Sequence, residues 1–187
     1  MNPPVSSENW DRDELARAQR LAKNLRSARL FAVRAPGRVN LIGEHTDYSN
    51  LPVVPIAIDR STIIVAAARD DAIVELRNVD PAFVSREFHL AAQIPPFTTG
   101  DWGNYVKAGI QGVIDHFGAR GIEIENLRGA TMFVDGRVPP AAGLSSSAAL
   151  TVSSALALMA VNGLTQDPLE TAQMVARSEW YVGTMAG

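Results

Sequence analysis

The stretch that decides the fold runs from Pro139 to Met159 and reads PPAAGLSSSAALTVSSALALM. A loop of small residues, Ala141 to Ser147, empties directly into a helix. That helix, Ser147 to Val161, is apolar almost all round, so it should be buried on most sides. Just upstream, Ala130 to Val134 reads as a strand that stops at Asp135-Gly136. The first N–H groups of a helix have no partner within it, and the helix dipole is positive there. Gly143 permits bends that other residues resist and lets a ligand approach the main chain. Ser145, Ser146 and Ser147 add hydroxyls. Together these suit a polyphosphate. The plainer alternative, three serines capping a core helix, stays open on this stretch alone. No Lys follows the glycine as in a Walker loop, and the glycines of a dinucleotide fingerprint are missing. Gly143-Leu144-Ser145-Ser146-Ser147 also lacks the closing glycine of a nucleophile elbow.

Outward from this segment the chain reads as one mixed α/β domain, residues 29–187, preceded by a tail and helix over 1–28. Asp11 and Glu14 form a capping pair that starts a helix running to Arg29, with Leu15, Ala18, Leu21, Ala22 and Leu25 on one face. Leu30–Arg34 reads as a short strand broken by Ala35-Pro36-Gly37. Val53–Ile58, Thr62–Ala68, Ala72–Arg77 and Val84–Leu90 follow as strands. Asp101 caps a helix from Trp102 to Phe117 on a regular helical period. Asp167-Pro168 starts a last helix that stops at Gly183.

Composition excludes several classes. A formal charge of −3 argues against a nucleic-acid-binding surface. The absence of cysteine rules out a disulfide scaffold, a thiolate zinc site and a cysteine nucleophile, and fits a cytoplasmic enzyme. Met1 to Trp10 has no apolar core and is not a signal peptide. Ala148–Val161 is too short to span a bilayer and is interrupted by Thr151, Ser153 and Ser154, so no membrane is expected.

A second stretch carries unusual charge. GRVNLIGEHTDY, Gly37 to Tyr48, places Arg38, Glu44, His45 and Asp47 together just after an apolar run. A self-capped turn with a salt bridge from Arg38 to Glu44 or Asp47 is one account of it. A metal site is another, weakened because adjacent strand residues point to opposite faces.

Read in order, GRVNLIGEHTDY and then GLSSSAAL about a hundred residues later resemble the galactokinase branch of the GHMP small-molecule kinases. WGNYVKAGI and SEWYVGTMAG are similar to two further segments of that family. The resemblance implies an α/β fold of the type shared by ribosomal protein S5 domain 2 and the GHMP kinase N-terminal domain. It implies a kinase that moves a phosphoryl group from ATP, with Mg²⁺, to a sugar's anomeric hydroxyl, with galactose as first choice. N-acetylgalactosamine, arabinose and a sensor without turnover are alternatives.

Roles follow by position. Arg38 would stabilise the transferring phosphoryl group, a task for which an ionised planar guanidinium is suited. Glu44, His45, Thr46 and Asp47 would hold sugar hydroxyls. Ala141, Ala142, Gly143, Leu144, Ser145, Ser146 and Ser147 would wrap the phosphates. Ser147 and Glu179 would hold Mg²⁺, although Glu179 alone reads equally as a solvated helix face. Trp102 and Tyr105 would meet adenine, with core packing as the competing account.

Three departures from the family pattern stand out. The family's catalytic carboxylate would fall about three residues beyond Gly187 by its spacing from Glu179, so the 187-residue chain is expected to be inactive as a kinase. Its last two helices would then be left with an exposed apolar face that favours self-association. Ser49-Asn50-Leu51-Pro52 replaces a glycine-rich turn near the sugar. Ala141 stands where relatives often have glycine; a left-handed backbone there costs roughly 1 kcal/mol.

Overall fold

Five strands form one mixed sheet in the order β1-β2-β5-β3-β4. The strands are β1 (Leu30–Ile42), β2 (Val54–Ala68), β3 (Ile73–Asn78), β4 (Arg86–His89) and β5 (Ala130–Gly136). All neighbours are antiparallel except β3 and β5, which run parallel. Among the described residues the α-helices are α1 (Arg12–Ala22), α2 (Gly103–Gly118), α3 (Ser146–Asn162) and α4 (Pro168–Ser178). A 3-10 turn, Glu179–Val182, follows α4. This computed structural model describes residues 10–42 and 52–182.

The sheet is covered on both faces over β2. Its run Ile63-Ile64-Val65-Ala66-Ala67 is buried throughout. Alternate residues serve two cores, as the pleat requires. Ile64 and Ala66 join the main core with Val106, Ile110 and Val113 of α2 and Ala155, Leu158 and Met159 of α3. Ile63, Val65 and Ala67 pack against Ala18, Leu21 and Leu25 on the opposite face. Helix α1 therefore shares the domain's core.

Several elements differ from their sequence reading. The short strand and the break at Pro36 are replaced by a 13-residue strand. Pro36 is tolerated because β1 is the sheet's edge and because the β1–β2 register shifts between Pro36 and Arg38. The two strands expected over 53–68 are one strand, bulged opposite that shift. Helix α1 keeps its expected capping box at Asp11 and Glu14 but ends at Ala22, where Asn24 and Leu25 close tighter i→i−3 bonds. Its buried face is rotated from the expected one. Leu15 is exposed, whereas Glu14 and Arg17 are buried.

That rotation is explained by charge pairing. The Arg17 guanidinium donates to Asp135 Oδ2 at 2.8 Å, to the Asp135 carbonyl at 2.8 Å, to Ser61 Oγ at 3.1 Å and to the Ser61 carbonyl at 3.0 Å. Glu14 accepts from Arg34 and from Ser61 Oγ. Buried charges persist only when paired and hydrogen-bonded, and these ones tie α1 to β1, β2 and β5 together.

Helix α3 is buried on nearly every side, as its composition requires. Thr151, Ser153 and Ser154 are fully enclosed, each hydroxyl donating back to a carbonyl of the preceding turn. No residue of α3 is exposed, which corrects the expectation of an open apolar face on that helix. The exposed large apolar residues lie elsewhere. They include Leu41, Ile42, Val54 and Ile56, where β1 and β2 pair at the far end of their ladder, and Leu169 on α4. Among the described residues, no helix is long and apolar enough to cross a membrane.

Candidate active site

The small-residue loop between β5 and α3 lies against the edge strand. Leu144 packs with the cluster of Ala35, Val138 and Ala149. Its carbonyl oxygen accepts the Arg38 backbone N–H at 3.1 Å. Gly37 makes this approach possible. A Cβ there would stand 2.8 Å from the Leu144 oxygen and 2.9 Å from both Ile58 Cδ1 and Val138 Cγ1. The two informative stretches of sequence, a hundred residues apart, thus meet at one place.

The loop's crest is shaped for anions. Ala141, Gly143 and Ser145 have φ of 54°, 70° and 57°, while the residues between them are outside the left-handed region. Alternation of left-handed with other conformations is the backbone pattern from which phosphate-binding concavities are built. Ala141, Ala142 and Gly143 are exposed, whereas Leu144, Ser145, Ser146 and Ser147 are half-buried. Ser145 is the N-cap of α3, yet its side chain makes no capping bond. The first turn of α3 carries no acidic residue to repel an anion. The left-handed angle at Ala141 is the one the sequence comparison with glycine anticipated.

The other expected site residues are placed unevenly. Arg38 is half-buried on β1, one residue beyond the close approach. Glu44, His45, Thr46 and Asp47 lie outside the described residues. Ser147 sits in the first turn of α3, its carbonyl accepting Thr151 Oγ1 at 3.0 Å. Glu179 opens the 3-10 turn after α4 rather than standing within a longer helix.

Of the aromatic pair, Tyr105 is partly exposed, but Trp102 belongs to the main core. Its indole N–H donates to the Val84 carbonyl at 3.0 Å, and its ring meets Phe83 edge-on at 6.0 Å. The packing account of Trp102 is the one its contacts support. The N-cap of α2 is Trp102 and not the expected Asp101, which accepts the Gly103 N–H at 2.8 Å from just outside the helix. Arg86 beside it, with that N–H, holds the Asp101 carboxyl below the usual carboxylate range despite the opposing effect of burial, which is the largest single influence.

Sequence reasoning missed how one face of α2 is used. Asn104, Lys107 and Gln111 are buried and hold the loop ahead of the helix. Lys107 Nζ donates to the Pro95 carbonyl at 2.7 Å and lies 3.1 Å from the Phe97 ring centroid. Burial pushes the Lys107 ammonium below its ordinary value. The spacing 104, 107, 111 was the available signal, since those positions share one helical face.

Comparison with known proteins agrees with this geometry. Residues 21–68 match the galactokinase galactose-binding signature, and residues 104–187 match the GHMP kinases N terminal domain. A galactokinase of Schizosaccharomyces pombe is 37% identical over 169 residues, which are 84% of this chain and 32% of that protein. The solved structure of Lactococcus lactis galactokinase complexed with galactose superposes with a TM-score of 0.77 at 32% identity, covering 92% of this chain and 44% of that one. Methanococcus jannaschii mevalonate kinase shares the fold, with a TM-score of 0.71 at 22% identity over 85% of this chain and 49% of its own. The chain thus spans less than half the length of each of these relatives. With a galactokinase-specific signature at the edge strand and the GHMP domain running through the loop 141–147, the chain belongs to the galactokinase branch of the GHMP kinases.

Proposed function

We propose that this chain forms the sugar- and ATP-phosphate-binding part of an ATP-dependent sugar 1-kinase acting on galactose. The observation that carries the reading is the contact of Arg38 with the loop at Leu144. It seats the backbone at Arg38 against the loop, and the reading assigns that residue's guanidinium to the phosphoryl group, whose transfer needs a cation. Catalysis of that reaction is chiefly positioning and charge stabilisation.

The loop 141–147 holds the β- and γ-phosphates through backbone N–H groups at the start of α3. Arg38 stabilises charge on the phosphoryl group in flight. Glu44, His45, Thr46 and Asp47 follow directly on the strand that carries Arg38, and they bind the sugar hydroxyls. Tyr105, half-exposed in the first turn of α2, borders adenine.

A hydroxyl and a carboxylate are a fitting protein share for Mg²⁺, which leaves its other positions to phosphate and water. Ser147, in the first turn of α3, and Glu179 would hold it. When bound, it neutralises phosphate charge. The proposed compartment is the cytoplasm.

Calorimetry of the protein with MgATP, and with galactose, N-acetylgalactosamine and arabinose in turn, tests the reading. Saturable heats with MgATP and with galactose, both lost in Arg38→Ala/Asp47→Asn double variants, are expected. Tighter binding of another sugar would replace galactose. Absence of both nucleotide and sugar binding would overturn the kinase reading.

A further inference from the structure

Helix α2 touches both elements that carry the proposed metal ligands, and it does so at two glycines three residues apart. At Gly109 a Cβ would stand 2.3 Å from the Thr151 carbonyl oxygen and 2.6 Å from Ser154 Oγ of α3. Thr151 lies one turn beyond Ser147 and bonds to its carbonyl. At Gly112 a Cβ would stand 2.7 Å from Ser178 Cβ, the last residue of α4. Ser178 immediately precedes Glu179.

A second attachment lies on the other side of Glu179. The Tyr181 hydroxyl donates to the Ile94 carbonyl at 2.6 Å. Ile94 is itself clamped to α2, because Gln111 accepts its N–H at 2.9 Å and donates to the Ala92 carbonyl at 2.9 Å. The backbone is therefore pinned to α2 at 178 and, through Ile94, at 181. Position 179 stands between the pins.

We infer that α2 sets the spacing between Ser147 and Glu179, with Gly112 and Tyr181 as positioning residues that act on the metal through Glu179. This rests on the reading of Ser147 and Glu179 as Mg²⁺ ligands. One rigid helix holds the two ligand-bearing elements within a single turn of itself, about 4.5 Å of rise. Simple core packing would stabilise the fold without selecting the metal.

The test is a double-mutant cycle read by Mn²⁺ electron paramagnetic resonance in the presence of a non-hydrolysable ATP analogue. Tyr181→Phe should weaken Mn²⁺ binding about tenfold, the lower end of what losing support around a metal ligand costs. It should leave metal-free nucleotide affinity unchanged, because the phosphate loop belongs to α3. In a Glu179→Gln background the same change should have no further effect on Mn²⁺. Gly112→Ala should repeat this signature, and its melting curve reports whether it folds. An unchanged Mn²⁺ affinity in Tyr181→Phe, or an equal loss in the Glu179→Gln background, would overturn the inference. If Glu179→Gln alone leaves Mn²⁺ affinity unchanged, the ligand assignment itself fails.

Discussion

The backbone N–H of Arg38 donates to the carbonyl oxygen of Leu144 at 3.1 Å. An edge strand and a loop over a hundred residues away are joined by that bond. Only a residue without a side chain fits at the neighbouring Gly37, where backbone and two apolar groups already fill the Cβ position. Gly37→Ala must push the loop away from β1. Overpacking of this kind costs roughly 1–3 kcal/mol. We expect a lower midpoint in urea unfolding together with weaker MgATP binding by calorimetry. A variant that keeps both would show that the loop's seat on β1 does not matter.

Ala141 sits at φ 54°, where a Cβ is unfavourable by about 1–2 kcal/mol. Ala141→Gly relieves that strain but loosens the unfolded chain by about 0.4–1 kcal/mol. The net effect should be a small gain in stability, under about 1 kcal/mol. Ala141→Val should lose stability, since branching at Cβ worsens the same clash. Paired thermal melts decide the matter; a more stable valine variant would mean the left-handed angle is not adopted.

Arg17 is 2% exposed and supplies four hydrogen bonds to Asp135 and Ser61. Arg17→Met leaves the Asp135 carboxylate with only the long pairing to Arg137 at 3.9 Å. Breaking a buried pair from one side typically costs about 3–5 kcal/mol. Chemical denaturation should show a loss of that order, and a loss below about 1 kcal/mol would contradict the network's role.

His116 titrates below the ordinary imidazole value, first because burial disfavours its charge and then because Arg120 and Arg177 oppose it, with Glu170 acting the other way. Its Nε2 is buried without a hydrogen-bond partner. The folded state therefore binds the proton less readily than the unfolded chain. As pH falls through about 6.5, the unfolded chain protonates first and stability declines. Above that value His116 contributes no slope. His116→Leu should flatten the acid side of a stability profile taken from pH 7 to 5. An identical slope in wild type and variant would sink this assignment.

The sequence made legible what rests on local spacing. Asp11 and Glu14 are three apart, so their reciprocal cap could be read directly and is present. The buried character of α3 followed from its composition. Strand limits were not legible, because Pro36 and Asp59-Arg60 look like breaks until the β1–β2 register is known. Trp102 looked like a ligand contact because helical period alone cannot tell a core aromatic from an exposed one. Gly37's role was hidden too, since it depends on Leu144 and Val138, far away in sequence. The sugar-binding role proposed for Glu44 to Asp47 rests on the family resemblance, and those residues fall outside the described ones.

Open sheet margins invite foreign strands, and β1 is such a margin. Here the loop 141–147 bonds to it at Arg38, beside a proline and an irregular ladder, so the contact that joins the two stretches also interrupts a docking rail for other chains. Variants that detach the loop should accordingly become sticky, and insolubility in such proteins would report a bared margin rather than a collapsed interior.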